Sequence, residues 1–319
     1  MNSALAGIAA CSVAWLALEF LLRLELLPPA HPNSRSLHRS TVARGAGVAI
    51  WAGVAASAFW SPPALAWAIP MLIVIAISMW DDWRGLPVVL RLASHVVAAL
   101  IWLLLIGPPA SLLGWLATVL VMVWMANLYN FMDGSDGLAA AMTLIGFTAY
   151  SIAGWRADAS ETTLMVAVVL ATVPFMMVNR PPARAFLGDV GAVPLGFLAA
   201  AGGIAGWKAQ WWPAWFPPLV FLPFIADATA TILRRFFSGE KIWQAHREHY
   251  YQRLVRMGFG HAGTLALYIA LMLGTTGSAL AALVRAPNAG NVLLVLWLAV
   301  LLGLFLAIDH AWRLRNELG

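Results

Sequence analysis

Long apolar runs follow one another along almost the whole chain and decide what it can fold into. Eleven of them can be marked, over 4–22, 46–60, 64–80, 88–107, 112–129, 137–153, 162–178, 190–206, 214–233, 263–284 and 291–308. Charged residues make up only 10% of the sequence, against about 25% in ordinary soluble domains. The alternating segments of a transmembrane barrel are not visible. We therefore predict an all-α, polytopic integral membrane protein with about ten to eleven transmembrane helices.

The loops between these runs differ in charge from one side of the membrane to the other. If every run crosses, sixteen of the 19 Lys and Arg side chains share one side, and Arg156, Lys208 and Arg285 lie on the other. Since positive residues mark the cytoplasmic side, this bias predicts an external N-terminus. Residues 1–319 are expected to form a single membrane domain with a cytoplasmic loop at 234–262, between helices nine and ten. Basic residues in short loops suit the lipid bilayer and phosphates, and nucleic-acid binding is not expected.

Acidic side chains cluster in loops of the predicted cytoplasmic face. Five of them lie in three loops: Asp81 and Asp82 after the third run, Asp133 and Asp136 in a glycine-broken turn after the fifth, and Asp189 after the seventh. Ionisable groups at the membrane edge are costly, so they indicate a function. Clustered carboxylates require a cation, and oxygen ligands select a hard one. Mg²⁺ is the predicted cofactor, with Mn²⁺ as its substitute.

Basic side chains and glycines accompany these acids. Three arginines and two glycines precede the second run: Arg35, Arg39, Arg44, Gly45 and Gly47. Gly188 and Gly191, on either side of Asp189, are expected to let backbone approach a ligand closely. In HREHYYQRL, the spacing of His246, His249 and Arg253 predicts one helix face that binds a phosphate. Neither a Walker-type loop nor a dinucleotide fingerprint occurs, so the pattern predicts phosphate chemistry with a hard cation.

At these residues the chain resembles the polyprenyl-phosphate N-acetylhexosamine-1-phosphate transferase family, of the glycosyltransferase family 4 type. The similarity runs from Asn33 to about Gly260 and rests on PNSRSLHRSTVARGAG, WDDWRGLP, NLYNFMDGSDGLA, NRPPARAFLGDVGAVPLGF and AHREHYYQRL, in that order. It looks most like the branch that starts O-antigen, lipopolysaccharide and related glycans. The resemblance implies transfer of a sugar 1-phosphate from a UDP-N-acetylhexosamine to undecaprenyl phosphate, with release of UMP. It also implies a multi-pass protein of the bacterial inner membrane, with a periplasmic N-terminus and a cytoplasmic active site. Monomer and homodimer both stay open.

The resemblance also implies separate roles for the matching residues. The catalytic set is Asp81, Asp82 and Asp133, with Asp81 as the base or, in a two-step reaction, the nucleophile. The Mg²⁺ ligands are Asp189, Asp82 and Asp133. The nucleotide is bound by Asp136, Asn179, Phe186 and Asn130, and the phosphates by His246, Arg247, His249 and Arg44. Since a phosphate monoester has a second pKa of about 6, the lipid phosphate is mostly a dianion at neutral pH, and alignment should matter more than a strong base.

Two other functions stay open at this point. The UDP-MurNAc-pentapeptide phosphotransferase of peptidoglycan synthesis belongs to the same family, but the triple-His run typical of that branch is missing from HREHYYQRL. Ala43 and Ala46 stand where the family often carries Pro and a third Gly, which weakens the inference for Arg44. An ion-coupled transporter usually holds acids near the bilayer midplane. Here His95 and Asp227 are the ionisable residues clearly within the runs, and we interpret His95 as packed in its helix.

Overall fold

The computed structural model describes residues 2–30, 37, 41–241 and 246–318. Arg35 and Arg39 lie outside the described residues. The described part contains two short strands and thirteen α-helices, in chain order α1 Asn2–Arg23, β1 Pro29–Ala30, β2 Val42–Ala43, α2 Val48–Ser57, α3 Leu65–Arg84, α4 Val88–Ile106, α5 Leu112–Met132, α6 Leu138–Arg156, α7 Thr162–Asn179, α8 Asp189–Lys208, α9 Phe216–Val220, α10 Leu222–Phe237, α11 Tyr250–Leu254, α12 Gly260–Arg285 and α13 Gly290–Leu318. A π-helical turn, Val255–Phe259, joins α11 to α12. The two strands pair antiparallel.

The predicted all-α, polytopic membrane class is confirmed. Within the described ranges, nine helices are long and apolar enough to cross a membrane, whereas ten to eleven were predicted. The run at 46–60 gives only the ten residues of α2, which is about 15 Å of helix. The run at 214–233 is divided at Phe221 into α9 and α10. Pro223, in the first turn of α10, has no N–H to continue the α9 hydrogen-bond ladder across this point.

Helix α8 is the buried centre of the bundle, and small residues let its neighbours pack closely against it. A Cβ on Gly196 would lie 2.3 Å from the carbonyl oxygen of Met125 in α5. A Cβ on Gly203 would lie 2.7 Å from the hydroxyl of Tyr150 in α6. Such close contacts through small residues are usual between membrane helices. They fix the position of Asp189, the first residue of α8.

The loops that the charge pattern assigned to one side of the membrane meet at one end of the bundle. Segment 43–47 runs beside segment 185–187, since Phe186 N–H donates to Ala43 O at 2.8 Å and Gly47 N–H donates to Leu187 O at 2.9 Å. Helices α3 and α5 end here, and α8 begins here. Because successive helices run in opposite directions, the Arg, Asp–Asp and glycine-rich motifs all lie at the same end of the bundle. Which compartment this end faces stays a prediction.

Candidate active site

A cavity of about 1010 Å³ lies at this end of the bundle. Its wall includes carboxylates, arginines, an amide and histidines from six different segments: Asp81, Asp82, Asp133, Asp189, Arg44, Arg91, Asn130, His246 and His249. Apolar side chains continue the wall: Leu92, Leu120, Val123 and Trp124. Leu120 is 68% exposed in the middle of α5, so the cavity reaches the membrane-facing surface of that helix. Charged groups and a lipid-facing apolar surface therefore lie side by side.

Asp82 joins the end of α3 to the start of α8. Its Oδ1 accepts a hydrogen bond from Asp189 N–H at 3.0 Å, and its Oδ2 accepts one from Val190 N–H at 2.9 Å. These N–H groups have no partner inside the helix, and a negative charge suits the positive end of the helix dipole. Gly188 has a φ of 73°, and a Cβ there would lie 2.6 Å from Asp82 Oδ2. A glycine is required at 188 because a side chain would push Asp82 off the helix end.

Two arginines bridge the carboxylates. Arg44 lies 2.9 Å from Asp82 Oδ1 through Nε and 2.6 Å from Asp189 Oδ1 through Nη2. Arg91 Nη1 lies 2.9 Å from Asp81 Oδ2 and 3.3 Å from Asp189 Oδ2. Burial alone would lower the pKa of Arg44, but the attraction of Asp189 and Asp82 outweighs it and raises that pKa above its ordinary value. Arg44 therefore remains charged inside the site.

Arg91 lines the site but was not predicted to do so. From the sequence, it was counted only among the sixteen basic residues predicted to lie on one side of the membrane. A signal was present. Helix α4 begins at Val88, directly after WDDWRGLP, so Arg91 lies in the first turn of the helix that follows the Asp–Asp motif. A side chain there is within reach of the motif that ends α3.

Asp133 follows α5 and adds a fourth carboxylate to the cavity wall. It accepts the N–H of Gly188, but burial, and then the negative charge of Asp189, raise the pKa of Asp133 well above its ordinary value. Asp81 and Asp189 are connected through Arg91, whose Nη1 contacts a carboxylate oxygen of each. Four carboxylates thus face two guanidinium groups. When all four are ionised, the carboxylates carry more charge than the two guanidinium groups, and the raised pKa of Asp133 reflects burial and then this repulsion.

The chemistry of this donor set fits a hard divalent cation. All the charged donors are carboxylate oxygens, and the excess of negative charge is what such an ion neutralises. In the described parts of the chain, no group of three or more His, Cys, Asp or Glu side chains is placed to hold a metal ion. Arg44 and Arg91 lie between the carboxylates instead. The predicted ligands Asp82, Asp133 and Asp189 share one cavity, while their assignment to Mg²⁺ stays a prediction.

The four residues predicted to bind the nucleotide lie in two places. Asn130 and Phe186 line the cavity, whereas Asp136 and Asn179 are not among its lining residues. The Asn179 amide is only 2% exposed; it accepts from Gly137 N–H at 3.0 Å and donates to the carbonyl oxygen of residue 185 at 2.8 Å. Asn179 therefore ties the carboxylate turn to the segment before α8.

Asp136 has a similar structural role in this conformation. Its Oδ2 accepts from Ala183 N–H at 3.0 Å, and its Oδ1 lies 3.5 Å from His261 Nδ1. The same His261 nitrogen is 3.0 Å from the Ser135 hydroxyl. Asp136 thus connects the turn after α5 to the start of α12. The nucleotide role of Asp136 and Asn179 stays a prediction.

The four residues predicted to bind phosphate are also divided. Arg44, His246 and His249 line the cavity, while Arg247 is exposed and is not among the lining residues. The two histidine rings stack with their centres 4.9 Å apart. Burial, and then the nearby His249 and Arg235, lower the pKa of His246 to about 4. His246 is therefore neutral at pH 7.

The predicted helix face of His246, His249 and Arg253 is wrong. Helix α11 begins only at Tyr250, and His249 precedes it in an extended conformation with φ −56° and ψ 149°. The two histidines therefore lie outside the helix. Arg253 contacts Asp309 of α13 at 2.5 Å instead.

The glycines beside Asp189 lie against a second loop of the protein. A Cβ on Gly188 would lie 2.7 Å from Gly45 Cα, and one on Gly191 would lie 3.0 Å from Gly47 Cα. These glycines let two loops of the protein approach each other, and their approach to a ligand stays a prediction. The contact between the two loops places Arg44 beside Asp189.

Comparison with known proteins places this site in a family. Residues 64–206 match the model of glycosyl transferase family 4. The chain contains a glycosyl transferase family 4 domain. This domain includes Asp81, Asp82, Asp133 and Asp189, while Arg44, His246 and His249 lie outside the matched range. The family predicted from the motifs is confirmed.

Individual relatives agree with the family domain. A probable undecaprenyl-phosphate N-acetylglucosaminyl 1-phosphate transferase of Bacillus subtilis is 27% identical, over 75% of this chain and 73% of that protein. A decaprenyl-phosphate N-acetylglucosaminephosphotransferase of Mycobacterium leprae is 27% identical, over 91% of this chain and 86% of that protein. A phospho-N-acetylmuramoyl-pentapeptide-transferase of Listeria monocytogenes is 26% identical over a shorter region, 44% of this chain and 45% of that protein.

Proposed function

We propose that this protein transfers an N-acetylhexosamine 1-phosphate from a UDP-sugar to undecaprenyl phosphate, and so starts an O-antigen or related surface glycan. The observation that carries the proposal is the double character of the cavity. Its carboxylates and arginines suit a diphosphate with a cation, and its apolar wall continues to Leu120 on the membrane-facing side of α5. A lipid phosphate is the substrate that needs both surfaces. The named relatives point to the same reaction class.

The reaction is an exchange at one phosphorus atom. An oxygen of the lipid phosphate attacks the phosphorus that bears the sugar, the bond from that phosphorus to the bridging oxygen breaks, and UMP leaves with the electron pair. Arg44 and Arg91 are placed to turn from carboxylates to phosphate oxygens, and His246 and His249 lie in the wall of the same cavity, where they can donate to a phosphate. Mg²⁺, when bound by Asp189 with Asp82 and Asp133, supplies the positive charge that phosphoryl transfer requires.

The contacts of Asp81 favour a one-step displacement. Its Oδ1 accepts from Leu86 N–H at 2.6 Å, and its Oδ2 lies 2.9 Å from Arg91. A two-step route through Asp81 as nucleophile would first have to break one of these contacts. A lipid phosphate dianion needs no strong base, so direct attack gives Asp81 no covalent role and leaves its bond from Leu86 N–H in place. In this scheme Asp81 holds Arg91 in place until substrate binds.

The reaction is tested by UMP release from purified protein supplied with undecaprenyl phosphate and Mg²⁺. A panel of UDP-GlcNAc, UDP-FucNAc, UDP-QuiNAc and 4-amino derivatives identifies the sugar through the lipid-linked product. We expect one of these to turn over. If none of them, nor UDP-MurNAc-pentapeptide, releases UMP, the proposed reaction is wrong.

The peptidoglycan reaction is the second candidate, because the Listeria relative is named for it. The missing triple-His run argues against it. Turnover of UDP-MurNAc-pentapeptide in the same panel, without turnover of the simpler sugars, would favour it.

A further inference from the structure

Asp227 is a buried carboxylate that the proposed reaction does not use. It lies in α10 and is 0% exposed. A buried charge is costly unless it is paired and hydrogen-bonded, and Asp227 has partners from three segments. They are the N–H groups of Tyr250 at 2.9 Å and Tyr251 at 3.0 Å, the hydroxyls of Thr231 at 3.3 Å and of Tyr268, and His249 Nδ1 at 3.4 Å. One carboxylate thus organises the polypeptide around His249.

His249 lies between this carboxylate and the cavity. Its Nδ1 faces Asp227 Oδ1, and its ring is part of the cavity wall. The ring stacks on His246 at 4.9 Å, on Tyr251 at 5.8 Å and on Phe131 at 5.9 Å, so it has little freedom to rotate. Because Nδ1 and Nε2 lie on different edges of an imidazole, Nε2 is left for the cavity. A carboxylate at one ring nitrogen fixes the tautomer and direction of the other.

We propose that Asp227 is a positioning residue of the transferase, which acts by holding His249 so that its Nε2 meets a substrate phosphate. The inference rests on the proposed function. Asp227 itself is not among the cavity-lining residues, so its effect must pass through its partners. When Nε2 meets a phosphate oxygen and Nδ1 keeps its 3.4 Å contact with Asp227 Oδ1, the ring is held between two anions. The bonds to Tyr250 and Tyr251 fix the main chain that follows the ring.

A double-mutant cycle tests the coupling. Asp227→Asn, His249→Gln and the double variant are purified and compared by UMP release. We expect each single variant to lower kcat on the order of 10²-fold with a much smaller change in KM, because the contact forms at the reacting phosphate. The double variant should lie within about threefold of His249→Gln, since Asp227 acts through that ring. Losses that multiply in the double variant would overturn the proposal.

Thr231→Val and Tyr268→Phe are the matched controls. Each removes one hydrogen bond to Asp227 and leaves its contact with His249 unchanged. We expect kcat of both variants to stay within about threefold of wild type, as is usual for changes that leave the coupled pair intact. If either control costs as much as Asp227→Asn, the carboxylate serves folding alone and the inference is wrong.

A second measurement requires neither turnover nor an Asp227 variant that folds. The ring nitrogens of the histidines are isotope-labelled in the wild-type chain, and the NMR signal that disappears in His249→Gln is assigned to His249. We expect a protonated, hydrogen-bonded Nδ1, and an unprotonated Nδ1 would overturn the inference. Absence of UMP release from wild type would instead reject the proposed reaction, while this signal would still decide the pairing.

Discussion

Asp189 is the side chain at which the site converges, since Arg44, Arg91 and Asn130 all contact its carboxylate. Asp189→Asn keeps the shape but removes the charge that both arginines, and a cation, require. We expect it to lower turnover on the order of 10²- to 10³-fold, while the protein still inserts into the membrane. UMP release and the amount of protein in the membrane fraction measure the two effects.

Asp158→Asn is the control for this change. Asp158 lies in the loop between α6 and α7 and has a φ of 51°, a conformation that Asn adopts well. The control should keep wild-type activity. Near-normal activity of Asp189→Asn would remove Asp189 from the proposed metal site.

His246 gives a prediction about pH. Its pKa of about 4 in the folded protein lies below its ordinary value of about 6.5, so the folded state disfavours the charged ring. His246 therefore stays neutral over the range of about pH 6 to 8 in which enzymes of this kind would be assayed. We expect His246→Gln to change the height of the pH–rate profile there but not its shape. Loss of one limb of the profile would contradict this.

The same lowered pKa has a consequence for stability. The unfolded chain binds a proton at His246 below about pH 6.5, and the folded chain does so only near its pKa of about 4. The contribution of neutral His246 is present above the unfolded pKa and is lost as the pH falls from about 6.5 toward 4. Unfolding midpoints of wild type and His246→Gln should therefore converge or cross within this window.

At the residue scale, a site residue could be predicted from the sequence when it lies in a local motif, and not when its contacts are with residues distant in the chain. The four cavity carboxylates were predictable, because each lies in a local motif at a run boundary. The contact of Arg91 with Asp189 and the role of Asp227 were not, because they depend on contacts across the bundle. Arg91 contacts Asp189, 98 positions away, and Asp227 binds Tyr268, 41 positions away. Hydropathy and residue spacing cannot predict pairs of residues so far apart in the chain.

Among the elements, the contact between segments 43–47 and 185–191 decides whether Arg44 reaches the site. A Cβ on Gly47 would lie 2.4 Å from Gly191 Cα, a backbone atom that cannot move alone. We expect Gly47→Ala to force the two loops apart, to destabilise the protein by about 1–3 kcal/mol and to lower activity by displacing Arg44. Thermal unfolding in detergent and UMP release measure both.

Gly277→Ala is the matched control, because a Cβ at that position in α12 has nothing within 4 Å. Alanine favours a helix over glycine by about 1 kcal/mol, so this variant should be as active as wild type and at least as stable. Equal effects of the two substitutions would mean that the loop contact does not position Arg44.

The long helices could be predicted from the apolar runs, because a membrane-spanning segment must satisfy its backbone polar groups internally. The residue at which α11 begins could not be predicted from the sequence of that segment. HREHYYQRL has a helical spacing throughout, but Asp227 of α10 accepts the N–H groups of Tyr250 and Tyr251 and so fixes where the helix begins. A carboxylate from a different element thereby keeps His249 outside the helix and at the cavity.

On the scale of the whole molecule, the positive-inside bias predicts that the end of the bundle that holds the cavity faces the cytoplasm. The exposed residues Ser238 and Ser160 lie in loops that the alternation of helices places at opposite ends. In a Cys11→Ser background, Ser160→Cys should react with a membrane-impermeant thiol reagent on intact cells, and Ser238→Cys should react only after the membrane is opened. Both variants should retain UMP release, which shows that the labelled protein is folded.

The reverse labelling pattern would place the cavity outside the cytoplasm and remove its access to nucleotide sugars made there. Reaction of both cysteines on intact cells would mean that the divided pair α9 and α10 does not cross, because Ser160 and Ser238 are separated by α7, α8 and this pair and would then lie on the same side. The pattern of labelling therefore tests the orientation and the number of crossings together. The proposed donor, a cytoplasmic UDP-sugar, is compatible only with Ser238 inside and Ser160 outside.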